Sequence, residues 1–183
     1  MVEKKSNFKK AFANTILLEG GYSNHPKDRG GKTKFGITKK TYLEAVRQGI
    51  IKKRFFGVRG ISEKDAEIIY KKFYWDVLRL DEVNNFRIAE EMFDTAVNCG
   101  TTRVVRMTQR ILKVMGEKVK VDGIIGRVSL AAINKCIKED TEVLFKLLNC
   151  LQGVYYLEIT ERRPSQKVFL DGWVKKRVDD WNE

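Results

Sequence analysis

Two carboxylates nine residues apart, Glu19 and Asp28, lie in the stretch LLEGGYSNHPKDRGG (residues 17–31) in surroundings that differ in kind. Glu19 closes a run of apolar residues, where poor solvation favours the neutral carboxyl and raises its pKa. Asp28 stands among glycine, lysine and arginine, where a carboxylate stays ionised. Two carboxyl groups whose environments drive their pKa values apart are the pair used to cleave glycosidic bonds. One protonates the leaving oxygen, and the other stabilises the cation or directs water. The competing reading is local: a Glu before Gly-Gly also ends helices, and an Asp before Gly-Gly also forms turns. Spacing alone leaves both readings open.

The elements that must position these groups are mostly helices. Phe8, Phe12, Ile16 and Glu19 follow steps of four, four and three, which puts them on one helical face, with Ser6 as the cap. Gly20 to Gly36 reads as a long loop or small hairpin, and Thr38 to Gln48 as a helix stopped by Gly49. Ser62-Glu63-Lys64-Asp65 has the form of a capping box. It opens a helix through AEIIYKKFYWDVL with Ile69, Phe73, Val77 and Leu80 on one side. RIAEEMFDTAVNCG and RVVRMTQRILKVMG are helical patterns with glycine stops. A turn at VDGIIG precedes the helix RVSLAAINKCIKED, and further helices are expected from Glu142 to about Arg162 and from Phe169 to about Asn182. Leu80 to Asn85 marks a seam, which divides the chain into a lobe at 1–85 and a lobe at 86–183.

The chain has 183 residues, 43% of them hydrophobic, enough to bury a sizeable core. Lys plus Arg is 36 against 24 Asp plus Glu, a formal net charge of +12 that draws the protein toward polyanions. Nucleic acid, anionic membrane and bacterial cell wall all qualify by charge. The cations are spread from Lys4 to Arg177 in short runs such as Lys52-Lys53-Arg54. No basic helix or aromatic platform stands out, so nucleic acid is not the expected partner. Cys99, Cys136 and Cys150 are odd in number and widely spaced, and His25 is the one histidine, which argues against a zinc site and a disulfide framework. The cysteines read as small buried apolar side chains. No apolar run reaches the length of a membrane span, and MVEKKSNFKK holds no signal-peptide core. The expectation is a protein made in the cytoplasm, without stable membrane insertion.

EGGYSNHPKDRGGKTKFGIT, residues 19–38, closely resembles the opening signature of the family 108 glycoside hydrolases, bacterial and phage N-acetylmuramidases once labelled secretion activators. Glu19, Gly20, Gly21, Tyr22, Asn24, Pro26, Asp28, Gly30, Gly31, Thr33, Gly36, Ile37 and Thr38 stand in the order of that signature. FDTAVNCG (93–100), TQRIL (108–112) and VDGIIGRVSLAAI (121–133) resemble the predicted peptidoglycan-binding region of the same proteins, and RRPSQKVFLDGWVKKRV (162–178) their usual ending. His25 stands where the family commonly has Asp, which alters the charge beside the site, and Arg127 where many members have Pro. The resemblance implies a mainly α, lysozyme-like fold with a glycine-rich loop or hairpin next to the acid.

By that resemblance Glu19 is the essential acid, held half in the core so that it keeps its proton, and Asp28 the electrostatic partner or base. The order Glu, Asp, Thr is also similar to the triad of phage T4-type lysozymes, which makes Thr33 a candidate water ligand. Tyr22 and Phe35 flank the glycine pairs and are candidates to stack on sugars, or core anchors. Asn24, within the signature, joins the substrate-binding candidates. Asp94 and Asn98 lie four apart on one helical face, either lining a sugar cleft or forming a local hydrogen-bonded pair. Trp75, Trp173 and Trp181 read as packing residues. The function implied is hydrolysis of the β-1,4 bond between N-acetylmuramic acid and N-acetylglucosamine, without metal or cofactor, on peptidoglycan glycan strands. Such a protein acts at the wall or periplasm after release by a holin or a secretion apparatus. The alternative is a non-catalytic wall-binding protein involved in secretion.

Overall fold

The computed structural model describes residues 2–19, 22–23 and 33–178, with side chains for 7–16 and 33–178. The chain divides into two units, Met1–Asp76 and Val77–Glu183; the sequence places the seam nine residues later, at 85/86. Both units are mainly α. Among the described residues, no helix is long and apolar enough to cross a membrane.

In the first unit, α1 (Val2–Glu19) buries Phe8, Ala11, Phe12 and Thr15, a three-and-four spacing that makes one continuous stripe. Three two-residue strands follow. β1 (Tyr22–Ser23), β2 (Thr33–Lys34) and β3 (Ile37–Thr38) form an antiparallel sheet in that order. Tyr22 pairs with Lys34, Ser23 with Thr33, and Thr33 with Thr38. Thr38 also starts α2 (Lys39–Arg47), its hydroxyl accepting from the Thr41 N–H at 3.1 Å. The capping box forms as its residue types predict: the Asp65 N–H donates to the Ser62 hydroxyl at 3.1 Å, and the Ser62 N–H to the Asp65 carboxylate at 2.8 Å, opening α3 (Glu63–Tyr70). An aromatic cluster joins these helices. Phe8 meets Trp75 at 5.5 Å and Phe12 meets Tyr70 at 5.6 Å between ring centres.

One expectation fails where the first unit ends and the second begins. The helix begun at Glu63 does not continue as α-helix to Leu80 but passes into a π-helical turn over Lys71–Trp75, closed by the Asp76 N–H donating to the Lys71 carbonyl at 2.8 Å. A π turn inserts one residue and rotates every later side chain by about 100°. The buried set is therefore Ile69, Tyr70, Trp75, Leu78 and Leu80, while Val77 is 49% exposed and Phe73 only half-buried.

The second unit is built from α4 (Phe86–Cys99), α5 (Thr101–Val114), α6 (Arg127–Arg162) and α7 (Lys167–Arg177). Asn85 caps α4 by accepting from the Ile88 N–H, and Gly100, at φ 88°, joins α4 to α5. α6 breaks at Asp140, whose carboxylate accepts from the Val143 N–H at 3.0 Å and starts a second helical segment, as the sequence break between KED and Glu142 leads one to expect. Ile88, Met92, Phe93, Val104, Leu112 and Ile133 form the core. Trp173 stacks on Tyr156 at 5.3 Å, a packing role, whereas Trp181 lies outside the described residues. Cys136 is buried, but Cys150 is exposed on the outer face of α6, contrary to the burial expected for all three cysteines.

Candidate active site

Glu19 is the last residue of α1, one helical turn beyond the buried Thr15. The chain returns within three residues as β1 and pairs with β2, so the hairpin expected between Gly20 and Gly36 exists at its strands. Asn24, His25 and Asp28 belong to the part of this stretch outside the described residues, as do the side chains of Glu19 and Tyr22. Thr33 is the central strand's first residue, in register with Ser23 on one side and Thr38 on the other, with only 7% of its surface exposed.

Phe35 sits in a conformation its residue type resists. Lys34 and Ile37 pair directly, leaving Phe35 and Gly36 as a two-residue turn with φ values of 52° and 72°. Two consecutive left-handed residues make the turn that matches the twist of a hairpin. Glycine adopts it freely, but a bulky side chain there costs about 1 kcal/mol or more. The buried Tyr70 holds the turn, its hydroxyl donating to the Phe35 carbonyl at 2.9 Å. The Phe35 ring stays half-exposed, with the Lys34 ammonium 5.3 Å from its centre. Tyr70 escapes sequence reading because in IIYKKFYW it is one aromatic of a core pattern; only its partner, 35 residues away, distinguishes it.

In the second unit Asp94 and Asn98 do share a helical face. The Asn98 amide donates to the Asp94 carbonyl at 2.8 Å and approaches its carboxylate at 3.4 Å. The same carboxylate pairs with the buried Arg177 guanidinium and faces the Gln152 amide at 3.5 Å. Cys99 lies beside this group, and burial pushes its thiol up to about 12, far from a nucleophile's range. Near it, at the α4–α5 joint, an open pocket of about 320 Å³ is lined by Thr101, Thr102, Arg103 and Arg106.

The VDGIIG motif has a structural use. The buried Gln109 amide donates to the Asp122 carboxylate at 3.0 Å, the Ile124 carbonyl at 3.1 Å and the Ser129 hydroxyl at 3.2 Å, and its oxygen accepts from the Gly123 N–H at 2.9 Å. Gly123 has φ 83°, and a Cβ there would stand 2.8 Å from the Thr102 methyl. Glu117, Cys136 and Glu139 bring three metal-type ligand atoms within 4.8 Å of one another. The Lys135 ammonium, 2.5 Å from Glu117 and 3.7 Å from Glu139, already supplies the cation that balances them.

Residues 12–100 match the glycosyl hydrolase 108 family and residues 103–178 match the predicted peptidoglycan domain. The two matches meet at the α4–α5 joint, so α4 falls within the hydrolase match while packing with α5 and α6 in the second unit. Among solved structures, the chain is similar to SagA of Brucella abortus, at 29% identity and a TM-score of 0.75 over 95% of this chain and 90% of that one. No curated protein matches. With a glycosyl hydrolase 108 domain followed by a predicted peptidoglycan domain along nearly its whole length, this mainly α, lysozyme-like chain is a peptidoglycan hydrolase.

Proposed function

We propose that the enzyme is a muramidase that cleaves the β-1,4 bond between N-acetylmuramic acid and N-acetylglucosamine, with Glu19 as its general acid. The observation that carries this reading is where α1 stops. Its last turn, ILLE, holds no basic residue, and the negative pole of the helix disfavours a charged carboxylate at its final position. Both effects favour the protonated form that a general acid needs. That proton passes to the glycosidic oxygen as the bond from the sugar carbon breaks. Asp28, between β1 and β2 in the chain, stabilises the resulting cation or takes the proton of the attacking water, and Thr33 orients that water.

Tyr22, Asn24 and Phe35 are the sugar contacts of the first unit in this reading. The strained turn supports that role for Phe35, because an outlier held by a buried hydroxyl marks a side chain displayed for use. Asp94 and Asn98 stand as wall contacts of the second unit. A net charge of +12 suits an anionic wall polymer, reached after release through a holin or a dedicated secretion apparatus.

The test is release of reducing ends from purified peptidoglycan, with mass spectrometry of the fragments, for the parent and Glu19→Gln. Fragments ending in reducing N-acetylmuramic acid from the parent, with about a thousandfold less from the variant, are expected. Equal activity of the two proteins removes Glu19 from the mechanism. Fragments ending in N-acetylglucosamine reassign the bond.

A further inference from the structure

Between α2 and α3 the chain makes a turn whose residues run against its local preference. The Gly57 N–H donates to the Arg54 carbonyl at 3.0 Å, which leaves Phe55 and Phe56 as the two corner residues. Corners of such turns favour Pro, Asn, Asp, Ser and Gly. Phe55 is 96% exposed and Phe56 72%, and their rings meet edge-on, 4.9 Å apart and inclined at 89°.

The base of this turn is held firmly. The Arg54 N–H donates to the Tyr42 hydroxyl at 2.8 Å, and its guanidinium grips the Asp65 carboxylate at 3.0 and 2.5 Å. Ile51, Val58 and Ile61 are buried on either side, and Gly60 packs closely on Arg54, where a Cβ would stand 3.1 Å from the Arg54 Cβ. Three buried apolar anchors and a bidentate ion pair thus support two phenyl rings that point away from the core. An apolar pair kept in water by a rigid base marks a contact surface.

Three occupants compete for it. A glycan strand stacks on a flat face, and two perpendicular rings offer no common one. A second copy of this chain would bring an equal charge of +12 against the exposed Lys52, Lys53 and Arg59 that flank the rings. Anionic lipid headgroups complement those cations, while the rings fit the boundary between headgroups and acyl chains. We propose that Phe55 and Phe56 form a tip that docks the protein reversibly on an anionic phospholipid surface.

The experiment is co-sedimentation of the full chain with large unilamellar vesicles of phosphatidylglycerol and phosphatidylethanolamine, and with phosphatidylcholine alone. The parent is compared with F55S/F56S and with K52Q/K53Q. Both variants change exposed residues, so circular dichroism and wall hydrolysis should match the parent. Expected is binding to the anionic vesicles only, weakened about tenfold in each variant. Four results overturn the proposal: no binding by the parent, undiminished binding by F55S/F56S, loss of wall pelleting in F55S/F56S, or a concentration-dependent dimer that F55S/F56S abolishes. The third assigns the tip to glycan, and the fourth to a second copy.

Discussion

Two tight turns, one in each unit, hold a residue in the left-handed region of backbone space, and they use it differently. At Asp122-Gly123 the residue is glycine, and a buried glutamine satisfies the turn's polar groups. At Phe35-Gly36 the first left-handed residue is an aromatic, held by the Tyr70 hydroxyl. The first turn spends its motif on closing itself, so DGIIG is a clasp between α5 and the start of α6. The second keeps a conformation that costs about 1 kcal/mol and leaves a ring half-exposed. A glycine-bearing motif is therefore a weak sign of a ligand. A residue kept where local chemistry resists it is a stronger one, and the Phe55-Phe56 corner shares that character.

The contrast breaks most sharply at activity. Glu19→Gln should remove hydrolysis with no change in thermal midpoint, whereas Gln109→Ala should do the reverse. Loss of the glutamine leaves the turn's donors and acceptors without partners, a cost of about 3 kcal/mol that lowers the midpoint by about 10 °C. Activity per folded molecule should survive, and a calorimetric scan beside the reducing-end assay checks both. If Gln109→Ala folds normally but no longer cleaves, the clasp is part of the site.

A smaller change sharpens the comparison. Phe35→Asn places at the first turn position a residue that tolerates it, and should stabilise the first unit by about 1 kcal/mol. The same change should raise KM about fivefold if the ring stacks on sugar. Destabilisation with unchanged KM would identify Phe35 as a core anchor instead.

The smallest effect is the acid limb of stability. The Ile124 N–H, then the Gln109 amide, hold the Asp122 carboxyl below its ordinary value. A group depressed in the folded state contributes stability above its unfolded pKa, about 4, and loses that contribution as pH falls through the folded value. Asp122→Asn should lose less stability than the parent between pH 4 and lower pH, in urea titrations at stepped pH. Equal slopes would mean that the glutamine clasp holds the neutral carboxyl equally well.

Much of the helical framework was legible in the sequence. The cap at Ser62, the stops at Gly49 and Gly100, and the break at Asp140 each follow from residues within one or two turns of the event. The helix through YKKFYW was misread because periodicity assumes a uniform α-helix, and a single π turn shifts the apolar register while leaving composition unchanged. At the candidate site, the types and order of Glu19, Asp28 and Thr33 could be read from the chain. Tyr70 could not, since nothing local separates a core tyrosine from one whose hydroxyl reaches a carbonyl 35 residues away.

By itself the sequence determined the main helical segments, several of their caps and glycine stops, and which carboxylate ends an apolar stripe, because caps, glycine stops and three-and-four spacing act over a few residues. It misplaced the start of α1, which begins at Val2 and takes Ser6 inside the helix. The tertiary structure alone decided that Gln109 closes the DGIIG turn, that Tyr70 holds Phe35 in a strained conformation, and that Phe55 and Phe56 face solvent. Each of these depends on which distant side chain arrives with a free donor or an open face, and that is set by packing between elements, which no window along the chain contains.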